Sequence, residues 1–348
     1  NQVSEKEVTS KCEKIPGGKK MISVAMLSKW HVHAVDYERD IHNSSKLNIT
    51  HVWDEDKERG QRWANELNVP FEPELEKVLD NPAIEGVVVD TPTNLHKEVI
   101  IKAAQNGKHI FTEKVLALTT ADCKEIFEAV EKAGVSLVVS MPRLTANYYL
   151  YAEKALKDGL IGELKMARCR VAHNGSVPSA ENPEGWLPAH FYNAEQCGGG
   201  ALIDLGAHPI YLLNRLAGKP KEVSAHFDYV YTKEVEDQAS VIVSYEEGVT
   251  GVIETSFVSH GSPFYLELYG TEGCLLIQDG KVELRNGEGT HVIEQLPKEL
   301  PIPMEQWADA IQSGKTPSIS NEDALLLTAV NEAAIQSNTE KRRITISV

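Results

Sequence analysis

Two pairs of residues in this chain have the types and spacing to move a proton and steady a charged oxygen. The first is Asp204 and His208, inside Gly198-Gly199-Gly200-Ala201-Leu202-Ile203-Asp204-Leu205-Gly206-Ala207-His208. Four residues apart in one helix, a carboxylate and an imidazole stack on the same face, placed to orient a substrate and take its proton. The second is Glu113-Lys114, in Thr112-Glu113-Lys114-Val115-Leu116 after a short apolar run. Lys114 can donate to a substrate hydroxyl, and its positive charge eases deprotonation there. A surface ion pair is the plain alternative for these two charges.

The elements that would carry these residues to one place follow from the pattern of apolar runs. From Met21 onward, short buried-strand candidates (Met21–Leu27, Leu47–Trp53, Gly86–Val89, His109–Thr112, Val135–Ser140) alternate with helical stretches. That alternation predicts an α/β domain with a doubly wound parallel sheet over residues 21–142. Beyond Pro142 the strands become longer and alternate apolar with polar, with hairpin signals at Glu246-Glu247-Gly248 and Gln278-Asp279-Gly280. Residues 143–348 are therefore expected to form an α+β domain with a mostly antiparallel sheet. A helix over Asp204–Leu216 and two late helices, Met304–Ser313 and Glu322–Ser337, are expected to cover one of its faces.

The first strand, turn and helix of a doubly wound sheet is where the pyrophosphate of a dinucleotide rests. The usual glycine fingerprint is absent, its three positions holding Ala25, Leu27 and Trp30. Leu27, Ser28, Trp30 and His31 are nevertheless the candidate cofactor residues of that turn. His31 and His33 face either phosphates or the helix surface, and Trp30 either covers the cofactor or packs on the sheet. Asp54 ends the second strand, where an acid accepts from ribose hydroxyls, and with Glu55 and Asp56 it would repel a 2′-phosphate. NAD is thus favoured over NADP. Thr91, Pro92, Asn94 and His96 follow the third apolar strand at the edge where ligands of such sheets collect. Glu113, like Asp54, is placed to bind a ribose.

Taken in order, these motifs resemble the glucose–fructose oxidoreductase / inositol dehydrogenase (Gfo/Idh/MocA) family from Met21 to the end of the chain. Thr91-Pro92…His96 looks like its TP…H motif, and Glu113-Lys114-Val115 like its EKP motif with valine for proline. Gly198-Gly199-Gly200…Asp204…His208 is similar to its GGG…D…H motif, and Tyr269-Gly270-Thr271-Glu272-Gly273 to its late GTEG turn. The resemblance implies a Rossmann NAD(P)-binding domain and a C-terminal domain whose open sheet pairs subunits into dimers or tetramers. It also implies a catalytic trio of Lys114, Asp204 and His208, with Arg143 near the nicotinamide. Tyr211 stands where many members have an acid.

The expected activity is NAD-dependent oxidation of a secondary hydroxyl of a sugar, glycoside or cyclitol, or reduction of the ketone. His208 is the general base. His173, Trp186 and His190, in and before the loop leading to the triple glycine, are expected with Tyr211 to line the sugar pocket. An NAD-using glycosidase working by transient oxidation and elimination is an alternative use of the same residues. A nucleotide-sensing regulator without catalysis is another. No metal site is expected, because His173, His190 and His208 have no recognised ligand spacing.

Bulk properties agree with a small-molecule partner. The 348 residues carry a formal net charge of −16 with no basic block, which disfavours nucleic acid and anionic membrane. Five scattered cysteines without a CxxC suit free thiols and a cytoplasmic address. Residues 1–20 read as a polar extension, either native or a non-native remnant, with Met21 as the expected natural start.

Overall fold

The computed structural model describes residues 20–348, so the expected extension lies outside the described residues except for Lys20. Five parallel strands, β1 (Ile22–Leu27), β2 (Leu47–Trp53), β3 (Gly86–Val89), β4 (His109–Thr112) and β5 (Leu137–Val139), form a sheet in the order β2-β1-β3-β4-β5. Five helices connect or flank them: α1 (Ala34–His42), α2 (Lys57–Leu67), α3 (Leu75–Asp80), α4 (His96–Gln105) and α5 (Thr120–Ala133). Every residue of β3 is buried, as a central parallel strand covered on both faces requires. Local chemistry sets the helix ends. Asp56 caps α2 by accepting from the backbone N–H of Glu58 and Arg59, and Gly134 closes α5 in the left-handed conformation at φ 65°. The order reverses beside β1, which places a ligand crevice outside the carboxyl ends of β1, β3 and β4.

The second sheet has nine strands: β6 (Leu164–Ala172), β7 (Pro220–Asp228), β8 (Gln238–Tyr245), β9 (Thr250–Ser256), β10 (Tyr265–Gly270), β11 (Gly273–Gln278), β12 (Lys281–Asn286), β13 (Gly289–Ile293) and β14 (Ile344–Thr345). Their order is β13-β12-β11-β10-β6-β9-β8-β7-β14, and only β6 and β9 pair in parallel. In β8, Ala239, Val241, Val243 and Tyr245 point into the core while Ile242 faces out, the period of two that the sequence carries. Six more helices are α6 (Asn147–Lys157), α7 (Ala194–Cys197), α8 (Ala201–Asp204), α9 (Ala207–Ala217), α10 (Pro303–Ser313) and α11 (Asn321–Glu340).

Three local expectations are corrected. The single helix expected over Asp204–Leu216 is split by Leu205-Gly206 into α8 and α9. A Cβ on Gly206 would come within 2.4 Å of the Leu202 carbonyl oxygen, so the break depends on glycine. Strands β13 and β14 were not anticipated; both lie at sheet edges with few apolar residues to mark them. Of the two late helices, α11 packs on β7 and α9, but α10 crosses back to the first domain against β4 and β5. Its amphipathic stripe fits either sheet, and the chain path decides.

Trp307 of α10 is fully buried there in one cluster with Phe111, Val88 and Met304. Gly86 leaves room for its ring, since a Cβ at Gly86 would sit 2.8 Å from it. Trp307→Ala is expected to cost about 3–5 kcal/mol of stability. Urea unfolding followed by circular dichroism measures it, and a loss under about 1 kcal/mol would mean the helix is dispensable to the first domain.

Candidate active site

Lys114 leaves the carboxyl end of β4 and crosses to the second domain. Its Nζ donates to Asp204 Oδ1 and to the Asp204 backbone carbonyl, each at 2.7 Å. The lysine side chain is 2% exposed and the aspartate 17%. Burial works against the charge on Asp204, but the ammonium beside it prevails and holds the carboxyl well below its ordinary range. Two of the three ammonium donors are thereby used, leaving one for a ligand. The short α8 presents Asp204 to Lys114, so Asp204 orients the lysine rather than His208.

His208 lies at the start of α9, half-buried behind the same region. Its Nδ1 is 2.8 Å from the Tyr211 hydroxyl, which also accepts from the Arg143 backbone N–H at 3.4 Å. Its Nε2 bonds to no described residue. Burial, then the charges of Lys114 and Arg143, push the imidazole well below its ordinary pKa. The ring is therefore neutral at pH 7. A neutral ring that donates from Nδ1 to Tyr211 keeps a lone pair on Nε2. Lys114 and His208 both line a cavity of about 320 Å³, with His33, Tyr37, Glu113, Ser140 and Met304 among its other walls.

The turn after β1 is built without glycine. Ser28 takes the left-handed conformation at φ 78°, and its hydroxyl accepts from the Trp30 N–H at 3.1 Å. The His33 N–H is 3.2 Å from His31 Nδ1. Trp30 is 5% exposed, with its ring centroid 4.8 Å from His190 and 5.4 Å from Phe191, and its Nε1 donates to Gln196 at 3.2 Å. The indole thus bridges the first domain to the loop before the triple glycine. His31 and His33 turn inward to Glu113, not onto the helix surface. Tyr37, one turn further along α1, donates to the same Glu113 oxygen.

Other expected residues are placed as follows. Asp54 is buried and saturated: Arg59 Nε and Nη2 donate at 2.9 and 2.6 Å, and the N–H of Lys29 and Asp56 at 2.9 and 2.8 Å. The expectation that it is free to accept from ribose hydroxyls is corrected, because Arg59 reaches back from the first turn of α2. Leu27 is completely buried in β1. His96 is a buried strut, Nδ1 2.8 Å from the Val115 carbonyl and Nε2 3.2 Å from that of Thr91, so it ties two turns rather than facing the crevice. Thr91 and Pro92 are buried beside it, and Asn94 is exposed.

Arg143 donates to Tyr148 at 3.1 Å and lies over the Phe264 ring. Tyr211 is 1% exposed, behind His208 rather than in a sugar pocket. His173 stacks on Phe257 and beside Trp186, whose side chain is half exposed and donates to Asn174. His190 packs on Trp30. The four expected substrate residues are therefore not gathered around one cavity. Missed by the sequence reading were Arg59, Tyr37 and Asp90. Tyr37 stands four residues after His33, a spacing legible in the sequence, whereas Arg59 reaches Asp54 across the start of α2. Asp90 ends β3, fully buried with neither carboxyl oxygen partnered. Burial, then repulsion from Glu113 and Asp36, push it well above the usual carboxyl range.

Comparison with known proteins agrees with this architecture. Residues 32–141 match the oxidoreductase family, NAD-binding Rossmann fold, and residues 149–276 match the GFO/IDH/MocA C-terminal domain. The scyllo-inositol 2-dehydrogenase (NAD(+)) of Bacillus subtilis (strain 168) is 29% identical over 303 residues, covering 82% of this chain and 85% of that protein. The 2,7-anhydro-N-acetylneuraminate hydratase of Escherichia coli (strain K12) is 28% identical, over 72% and 66%. Among solved structures, levoglucosan dehydrogenase in complex with NADH and levoglucosan superposes with TM-score 0.81 at 19% identity, over 94% of this chain and 100% of that one, a likeness of fold. With both domain matches in chain order and the Lys114–Asp204 junction between them, the chain belongs to the Gfo/Idh/MocA family of oxidoreductases, its first domain an NAD-binding Rossmann fold.

Proposed function

We propose that the chain interconverts a secondary hydroxyl and the corresponding ketone of a sugar, glycoside or cyclitol. The observation that carries this reading is the shared cavity onto which the spare donor of Lys114 and the neutral imidazole of His208 both open.

Tested against the residues present, NAD fits at one end. Thr91 Oγ1 is buried without a partner at the end of β3, an orphan that a cofactor hydroxyl or phosphate oxygen would satisfy. Thr93, Lys114 and Gly199 line the neighbouring crevice. The same crevice is narrowed by the Trp30 indole. Thr91 and Thr93 would hold the cofactor there, and bound NAD would supply the hydride acceptor or donor.

The protein's own share is proton handling and charge stabilisation. The spare donor of Lys114 holds the reacting oxygen and steadies the negative charge that develops on it. His208 Nε2 removes the hydroxyl proton, or returns it in the other direction. Tyr211 and the Arg143 N–H fix the imidazole from behind, and Asp204 fixes Lys114. The elimination alternative draws on the same groups, and a hydratase stands among the relatives. Product analysis separates the two: a ketone appears in one case and a cleaved glycoside in the other. The uncovered face of the second sheet, where Ile242 and Met166 are exposed, is the surface proposed to pair subunits.

Three measurements follow from this reading. Lys114→Ala should lower kcat by about 10²–10³ with little change in KM, on a fold verified by circular dichroism. Unchanged turnover would sink the assignment. Because the base must be unprotonated and its pKa lies below 6.5, kcat/KM for oxidation should rise with pH through a midpoint under 6.5 and be flat above 7. A midpoint at 7 or higher would remove His208 from the role. Trp30→Ala should tighten NAD binding roughly tenfold by calorimetry, about 1.4 kcal/mol, and equal affinity would place the indole outside the cofactor's path.

A further inference from the structure

The turn that replaces the fingerprint glycines brings two imidazoles to one buried carboxylate. His31 and His33 are two residues apart, with ring centroids separated by 4.6 Å. From Glu113 Oε2, His33 Nδ1 is 3.1 Å away and His31 Nδ1 3.8 Å. One donor atom from each of the three residues lies within 4.8 Å of the other two. Donors sharing one ion at about 2.0–2.2 Å stand roughly 3 to 3.5 Å apart, so a small inward movement closes the set.

A second observation points the same way. Glu113 is 1% exposed, yet its Oε1 has no hydrogen-bond partner. Asp90, at the end of the adjoining β3, is buried with both oxygens unpartnered. Lys114, the neighbouring ammonium, gives two of its three donors to Asp204 and makes no hydrogen bond to Glu113 or Asp90. Buried carboxyl groups left this way are costly unless a cation or donors reach them.

We propose that His31, His33 and Glu113 bind a divalent transition-metal ion on the wall of the 320 Å³ cavity. Two imidazoles and a carboxylate suit zinc, cobalt, manganese or iron(II), whereas calcium and magnesium select all-oxygen sets. The surroundings are those of a ligand shell. His31 Nε2 faces Asp204 Oδ1 at 3.8 Å, where a carboxylate orients a ligating imidazole through its other nitrogen. The Tyr37 hydroxyl holds the Glu113 carboxylate from α1. His33 and Glu113 line the cavity that also holds Lys114 and His208, so coordination positions left open would meet hydroxyl or carbonyl oxygens of a polyol there. Binding through His31 Nδ1 would displace the His33 N–H, which that nitrogen accepts at 3.2 Å.

Metal binding at this site is independent of hydride transfer and is read without turnover. The full chain is dialysed against chelator and then titrated with Zn²⁺ by calorimetry and with Co²⁺ by visible absorption. One ion per chain is expected, with d–d bands for Co²⁺. His31→Ala, His33→Ala and Glu113→Gln should each weaken binding at least about tenfold, while His226→Ala, on an exposed strand position, should leave it unchanged. Failure of the wild type to bind in excess metal overturns the proposal, as does undiminished binding by a folded His31→Ala/His33→Ala variant. Should the variants not fold, crystals of the wild-type chain soaked in Zn²⁺ give the answer. An anomalous peak bonded to all three side chains supports the site, and no peak there refutes it.

Discussion

The Lys114 ammonium leaves β4 of the first domain and meets Asp204 of the second at 2.7 Å, almost out of contact with water. Two charges brought out of solvent lose several kcal/mol of hydration each, and their attraction offsets this only with good geometry and further hydrogen bonds. Here the further bond is the Asp204 carbonyl, accepting from the same ammonium. A well-packed apolar pair of similar size would hold the domains at least as firmly. What the ion pair adds is a fixed donor at the mouth of a cavity, aimed by a residue of the opposite domain.

Much of the surrounding structure follows from keeping that junction in register. One continuous core runs from β3 and β4 through Val115, Leu116 and Ala117 into α9 and the second sheet. Asp204 closes α8 against Lys114, and after Leu205-Gly206 a new helix, α9, begins with His208 in its first turn. Tyr211, one turn along α9, hydrogen-bonds the imidazole through its hydroxyl and ties it to the Arg143 backbone. The proton acceptor and the charge stabiliser are thus held by different elements, each fixed from behind.

The nucleotide-side turn obeys a different logic. A glycine loop lets the backbone approach phosphate, whereas this turn satisfies its own amides through Ser28 and His31 and fills its mouth with Trp30. Polar groups gather behind it instead: Glu113 faces two imidazoles and a tyrosine, and the Asp90 carboxyl has no hydrogen-bond partner. Burial lowers the His31 pKa, while at His33 the nearby Glu113 outweighs burial and raises it. The same carboxylate favours the charged form of both imidazoles, but only at His33 does it prevail over burial.

By itself the sequence determined the alternation of β1–β5 with their helices, the change to period-two strands after Pro142, and the order of the Lys114, Asp204 and His208 motifs. These are local properties: apolar period, capping residues such as Asp56, and glycines such as Gly134 act over a few residues. Only the tertiary structure decided what each side chain faces. Asp204 and His208 look like a helical pair in sequence, yet a glycine break hands one to Lys114 and the other to Tyr211. Asp54 has the position of a ribose acid but is saturated by Arg59. His31 and His33 meet Glu113 across some eighty residues of chain, an encounter set by parallel strand order and not by any local spacing.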